Sequence, residues 1–410
     1  MPIRIEPADL ATVLPPGGLT IMSGCSAESA LLGEAIASAG PALGAMTFTG
    51  IVVGGLNRQE WLVGPETRAL TFFQTPQLKK GGERVTFLPL CYTDIRALLR
   101  KTPPDAALFM CSPPDENGWC SFGTQIDFLA EIWSRIPVRI AHINPLMPRT
   151  FGHRGIPFDR LTAYVEGEQP LLSIPDEPAD ETALAIAGLV ARFVPDGATV
   201  QTGLGKIPGA VLRALTGHRD LNLHTGLVGD AVLDLIAAGA MASGASATVG
   251  VAIGSQRLYA ALGDPTISFQ PVSVTHDPRA IGAIENFVSI NSAIEVDLFG
   301  QVYAEMTPKG LMSGPGGASD FARGAKSGGG LRVVALPAAA RDSSRIVPPG
   351  AGAGPVSLGR MDVDVIVTEH GAADLRGLDH AGRAAALITI TNPAHRDTLG
   401  AAWRDYASRF

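Results

Sequence analysis

Several things are scarce in this 410-residue chain. Its four cysteines, Cys25, Cys91, Cys111 and Cys120, are too few for a disulfide framework, and none is paired at a zinc-type CxxC spacing. They are expected to be buried, reduced thiols. Charged residues make up only 17%, the formal net charge is -7, and no basic stretch is interleaved with aromatics. That balance argues against a nucleic-acid partner. No apolar run is long and uninterrupted enough to span a bilayer. Met1-Pro2-Ile3-Arg4-Ile5-Glu6 lacks the charged-then-apolar profile of a signal peptide, so a cytoplasmic protein with no membrane partner is expected. At 6% aromatic content, nothing points to a preference for large substrates.

What is abundant is apolar residues, at 46%, with Gly 48 and Pro 31 scattered between apolar runs. Such punctuation suits many short turns joining strands and helices. Leu19–Met22, Val85–Leu88, Ala106–Met110 and Val138–Ile143 read as short apolar strands, and a helix is expected from about Ala27 to Ala39. Strands of this kind separated by helical segments indicate parallel sheets buried on both faces. Around Ile174–Glu181 the composition turns acidic and proline-rich, which marks a linker. Beyond it the pattern restarts: Pro16-Gly17-Gly18-Leu19-Thr20-Ile21-Met22-Ser23-Gly24 and Pro195-Asp196-Gly197-Ala198-Thr199-Val200-Gln201-Thr202-Gly203 share turn, strand and glycine in register. The expectation is an α/β fold of two open domains related by internal duplication, with mostly parallel sheets covered by helices, over 1–180 and 181–410. Leu331–Leu336 and Val363–Thr368 are later strands, the second followed by a helix beginning near Gly371–Leu375.

Four segments carry candidate chemistry. In Gln201-Thr202-Gly203-Leu204-Gly205-Lys206-Ile207-Pro208 a strand ends, glycines turn, and a helix starts near Pro208, leaving backbone N–H groups for an anion or phosphate. A plain strand-to-helix connection would look the same. Leu311–Phe321, with Gly314, Gly316 and Gly317, could bring N–H groups to a developing oxyanion, or could be a surface loop. Glu295 and Asp297 would share one strand face, as an acid/base pair or as holders of neighbouring backbone. His224, in Leu223-His224-Thr225-Gly226-Leu227-Val228-Gly229-Asp230, could be a base or a structural donor ahead of a helix whose apolar face carries Leu227, Ala231, Val232, Leu235 and Ile236. The other histidines show no metal spacing, and no metal is assigned.

Taken together, these segments resemble the acetyl-CoA hydrolase/CoA-transferase family. Ser112-Pro113-Pro114-Asp115-Glu116-Asn117-Gly118-Trp119-Cys120-Ser121-Phe122-Gly123 is similar to its SPPD loop. Asn144–Gly152 is similar to its N-P-x-M-P-R-T-x-G segment, and Gly316–Ala325 to its GG-x-x-DF-x-RGA loop. Thr368–Gly377 resembles its closing TE-x-G-x-ADLRG, and the stretch Asn286–Val302 its signature. The matches fall in order along nearly the whole chain. The resemblance implies CoA or acyl-CoA as substrate with a small carboxylate as partner, CoA bound where two α/β domains meet, and a homodimer. It implies CoA contacts from Gly203, Leu204, Gly205, Lys206 and Ile207, and CoA or oxyanion contacts from Gly314, Gly316 and Gly317, with Lys326 loosely matching a CoA-contacting lysine. Asn291 and Ser292 are the substrate-side candidates.

The same resemblance exposes a departure. The family commonly reads H-T-E or Y-T-E where this chain reads His224-Thr225-Gly226. That glutamate forms a mixed anhydride and then a glutamyl-CoA thioester during ping-pong transfer, and glycine can do neither. Asp230, one helical turn on, is expected to face elsewhere. Three readings stay open: hydrolysis by a water at Gly226 with Glu295 or His224 as base; direct exchange with a substrate carboxylate; or acyl-CoA binding without turnover, as a sensor or the inactive half of a hetero-oligomer.

Overall fold

The computed structural model describes residues 1–409, and the chain divides into two compact units. The first comprises Met1–Pro175, Gly226–Val228 and Thr248–Thr275; the second comprises Asp176–Thr225, Gly229–Ala247 and His276 onward.

The first unit is built on an eight-stranded sheet. Its strand order is Ile3–Arg4, Ala163–Glu166, Val138–Ile143, Ala106–Cys111, Leu19–Met22, Thr47–Gly50, Arg68–Thr71, Val85–Phe87, and every pairing is parallel. Ala106–Cys111 is buried at all six positions, which explains its unbroken apolar run. Phe48, Leu108, Ile140, Leu32 and Ile36 form the core under helix Ala30–Ala39. That helix starts later than the apolar pattern suggests. A 3-10 turn, Cys25–Ala27, comes first, and the Ser29 side chain caps the helix by accepting from Leu32 N. The order of the sheet reverses at Leu19–Met22, the first long strand, which pairs with Thr47–Gly50 on one side and Ala106–Cys111 on the other. Open α/β sheets present their ligand crevice at the carboxyl ends of strands flanking such a reversal.

Two of the family-like segments form one clasp in this unit. Asp115 accepts from Asn117 N at 2.9 Å and Trp119 N at 2.8 Å. The Trp119 amide, more than any other group, holds its carboxyl below the usual range. The Arg149 guanidinium reaches Asp115 at 3.5 Å, Trp119 O at 3.1 Å and Pro113 O. Gly155 closes the clasp: a Cβ there would stand 1.9 Å from Cys120 O. The four cysteines are free thiols, all buried.

In the second unit the strand order is Gly371–Asp374, Val365–Thr368, Leu331–Ala335, Phe287–Ser292, Thr199–Gln201 and then Asn222–Val228, whose last three residues belong to the first unit. All pairings here are parallel except that of the edge strand Gly371–Asp374, which runs antiparallel to Val365–Thr368. This corrects the helix expected at Gly371–Leu375. The chain makes a hairpin at Glu369-His370, with Gly371 at φ 145, and buries Ala373 while Ala372 and Asp374 face outward. The helix begins only at His380, after the Asp379 cap. Leu227 likewise lies in strand Asn222–Val228, not in the following helix Ala231–Ala237. Helix Glu181–Ala191 opens the unit after the acidic stretch. Its cap is Asp180, which accepts from Ala183 N at 2.8 Å, a contact worth about 1 kcal/mol.

Among the described residues no helix is long and apolar enough to cross a membrane, and no cluster of three or more His, Cys, Asp or Glu side chains could hold a metal ion.

Candidate active site

In the second unit, strand Thr199–Gln201 runs into the turn Thr202–Gly205 and helix Lys206–Ala214. Gly205 has φ 123, a left-handed conformation that a side chain disfavours. Gly203, Leu204, Gly205 and Lys206 are exposed, so the first N–H groups of the helix face outward, where an anionic group could reach them. Pro208 sits buried in the first turn, at a position that has no intrahelical partner for an N–H. Lys206 Nζ pairs with the capping Asp180 at 3.1 Å.

This turn is tied to its neighbours by a polar network. Ser289 Oγ donates to Gln201 Oε1 at 2.7 Å, and Asn291 Nδ2 donates to Ser289 Oγ at 3.0 Å and to Gln201 Oε1 at 3.4 Å. Thr225 Oγ1 donates to Thr202 O at 2.6 Å. Asn291 is therefore held beside the end of the strand that feeds the glycine turn, and the residue before Gly226 anchors that turn. Ser292, next along, is exposed. Gln201 is the hub of this network. Its strand-terminal position was visible in the sequence, but its partners, nearly ninety residues later, were not.

His224 is buried and meets Phe287 edge-on, with ring centres 6.2 Å apart. Beside it lies His276, a residue the motif reading passed over. Burial, with a smaller contribution from His224, pushes the His276 imidazole down to about 3, so it is neutral at physiological pH. His276 packs on Phe321 at 4.8 Å and fills the space over Gly317. The glycine loop thus ends against a neutral imidazole, directly before helix Ala318–Ser327. Gly316 has φ 62, and Gly314 is buried.

Other candidates are engaged elsewhere. Lys326 is in the last turn of Ala318–Ser327, ~13 Å of helix rise from Gly317. Its Nζ donates to Met361 O at 3.0 Å and approaches Asp362 at 3.6 Å. Glu295 Oε2 accepts from Ala353 N at 2.8 Å. Asp297, on the same short strand, is fully buried and accepts from Phe299 N, Gln301 N, Gln301 Nε2, Tyr303 Oη and Gly350 N. That saturation is the signature of a carboxylate holding its own loops together.

In the first unit, a small recess, with room for about one water, opens at the sheet reversal. Ile21, Ile51, Leu108 and Phe109 give it apolar walls, and Gln125 and Asp127 its polar groups. Asp127, also missed by the motif reading, is buried, and the burial pushes its carboxyl up to about 6 despite a bond from Phe128 N and the nearby Gln125 amide. Part-exposed Gly226 belongs to this unit too.

Comparison with known proteins bears on what such a site does. Residues 254–403 match the acetyl-CoA hydrolase/transferase C-terminal domain. The chain is 34% identical over 328 residues to the 4-hydroxybutyrate coenzyme A transferase of Clostridium kluyveri, spanning 77% of this chain and 76% of that one. It is 35% identical over 329 residues to the succinyl-CoA:cyclohexane-1-carboxylate CoA transferase of Geobacter metallireducens, spanning 78% and 75%. Among solved structures, RipA from Yersinia pestis superposes with a TM-score of 0.91 at 28% identity, covering 99% of this chain and 98% of RipA. The 4-hydroxybutyrate CoA-transferase of Porphyromonas gingivalis superposes with a TM-score of 0.81 at 30% identity, covering 100% and 98%. The chain belongs to the acetyl-CoA hydrolase/CoA-transferase family, whose substrates are acyl-CoA thioesters.

Proposed function

We propose that this protein is an enzyme that cleaves the thioester of a small acyl-CoA, by hydrolysis or by passing CoA to a carboxylate, without an enzyme-bound glutamyl-CoA. The observation that carries the second half is Gly226, which stands where relatives of this type are expected to keep a nucleophilic glutamate. The observations that support the first half are the exposed glycine turn at a helix start, suited to CoA, and the family itself. In the hydrolytic route, water attacks the thioester carbonyl carbon, a C–O bond forms, the C–S bond breaks, and the thiolate leaves as CoA after gaining a proton. N–H groups of the loop around Gly314, Gly316 and Gly317 are the proposed oxyanion donors. Gly203, Leu204, Gly205, Lys206 and Ile207 are the proposed CoA contacts, Asn291 and Ser292 the proposed substrate contacts, and a homodimer the proposed assembly.

The test is release of free thiol from acetyl-, butyryl- and hexanoyl-CoA, with and without an acceptor acid. Release without an acceptor supports hydrolysis; release only with one supports direct exchange. A glutamyl-CoA adduct trapped by hydroxylamine or borohydride and seen by mass would overturn the proposed route. Tight binding of acyl-CoA with no release under either condition would leave a binding protein.

A further inference from the structure

Asp127 is the first residue of helix Asp127–Ile132. Its Oδ1 accepts from Phe128 N at 2.5 Å, but its Oδ2 is fully buried and has no hydrogen-bond partner. An orphaned carboxylate oxygen inside a protein is costly, and such atoms persist where a ligand or a reaction uses them.

Its position is set by two stitches of backbone. Ile126 N donates to Gly250 O at 3.1 Å, which fastens the start of this helix to strand Ala247–Ala252. Ile253 N donates to Val228 O at 3.0 Å, which sets Gly226 beside Gly250 in a parallel ladder. Neighbouring residues of such a ladder project to the same face of the sheet. A Cβ on Gly250 would lie 3.0 Å from Gly226 O and 3.8 Å from Asp127 Cβ. Two glycines thus form a floor bare of side chains, and Asp127 Cβ lies at its Gly250 end, near Thr275 Oγ1, on the face where a side chain of residue 226 would project.

We infer that Asp127 is a catalytic residue, the general base of thioester cleavage on this bare floor, standing in for the absent glutamate by activating water instead of forming a covalent adduct. This rests on the thioester reading given above. Asp127 Oδ2 takes a proton from water as the water oxygen bonds to the carbonyl carbon. The resulting carboxylic acid returns that proton to the CoA sulfur as the C–S bond breaks, so acyl-CoA and water become a free acid and CoA. A carboxyl whose burial brings its titration to about 6 is a stronger base than an ordinary aspartate, and its acid form is a competent donor to the leaving thiolate.

The ionisable groups around Asp127 are few. The Cys25 thiol lies on the turn after Leu19–Met22, with Glu28 behind it, and burial pushes that thiol well above its usual range. Tyr92 of helix Tyr92–Lys101 meets Phe128, and Glu131, one turn along from Asp127, pairs with Arg96 and Arg100. Strands Thr47–Gly50 and Ala247–Ala252 and helix Val272–Thr275 carry no ionisable side chain, while Cys111 ends Ala106–Cys111.

The experiment compares wild type with Asp127→Asn in thiol release from the best acyl-CoA of the series, and in binding of the matching S-alkyl-CoA thioether. The expected result is a fall in kcat of roughly 10²-fold or more with thioether affinity within about threefold. Wild-type kcat should rise through a midpoint at about pH 6, and the variant should lose that limb. Turnover by the variant within about twofold of wild type would overturn the role of Asp127 while leaving the thioester reading intact. A flat wild-type profile across this range would do the same without relying on the variant's folding. An aspartyl adduct trapped by hydroxylamine would make Asp127 a nucleophile and overturn its role as base. Absence of release by wild type from every acyl-CoA, with or without acceptor, defeats the thioester reading itself and this role with it.

Discussion

His276 occupies the space a side chain on Gly317 would need: a Cβ there would lie 2.6 Å from His276 Cδ2 and 2.7 Å from Nε2. The imidazole cannot swing aside freely, because it is buried and packed on Phe321 at 4.8 Å. Gly317→Ala should therefore displace the ring or the loop, costing about 1–3 kcal/mol of stability. Chemical denaturation reads the loss, and an unchanged midpoint would show that His276 yields.

Gly203 gives the opposite expectation. A Cβ on this residue would meet no protein atom within 4 Å, and its backbone is not in the left-handed region. Gly203→Ala should alter stability by less than about 0.5 kcal/mol. If the turn holds CoA, the added methyl should weaken CoA binding about tenfold, which is about 1.4 kcal/mol. Calorimetric titration with CoA separates this from an ordinary surface substitution, which would leave affinity unchanged.

Gly226→Glu restores the carboxylate that the family resemblance leads one to expect. The variant is expected to form a glutamyl-CoA adduct on exposure to acyl-CoA and acceptor acid, visible as a mass shift lost on treatment with hydroxylamine. A folded variant with no adduct would mean that the surrounding site no longer supports covalent transfer.

Asp127 also makes a prediction about stability alone. Burial raises its folded pKa from 3.8 to about 6, so between these values the folded state binds more protons than the unfolded one. Its contribution to stability is fully present below about pH 4, is lost as pH rises toward about 6, and stays lost above. Asp127→Asn should remove this slope and, at pH 7, relieve a penalty on the order of 3 kcal/mol. Denaturation of both proteins at pH 4.5 and pH 7 measures the difference, expected to be about 1 kcal/mol in the acid and roughly threefold larger at neutrality. Parallel curves would show that water or structural relaxation solvates the carboxylate.

Much of the fold could be read from the chain because parallel strands buried on both faces leave unbroken apolar runs, as in Ala106–Cys111 and Val138–Ile143. The edge strand Gly371–Asp374 escaped because Gly-Ala-Ala-Asp has no such run, and its conformation comes from the hairpin partner Val365–Thr368. The candidate site was only partly legible. The turn at Gly203–Gly205 and the network residue Asn291 lie in contiguous motifs. Asp127 and His276 do not: their titration is set by burial, which depends on contacts between distant segments. Glu295 and Asp297 show the converse. Two carboxylates on one strand face suggested acid/base work, but Asp297 is saturated by five donors.

The first compact unit closes only with Gly226–Val228 and Thr248–Thr275, segments separated from its main body by a long stretch of the second unit. A ribosome would therefore have to deliver the chain through Thr275 before this unit owned all its parts. Its nascent form must wait, with strand edges unpaired, through that interval. Shortening the protein to its leading half for expression would remove the bare glycine floor along with the two strands that form it, so a minimal version has to keep the interleaved segments.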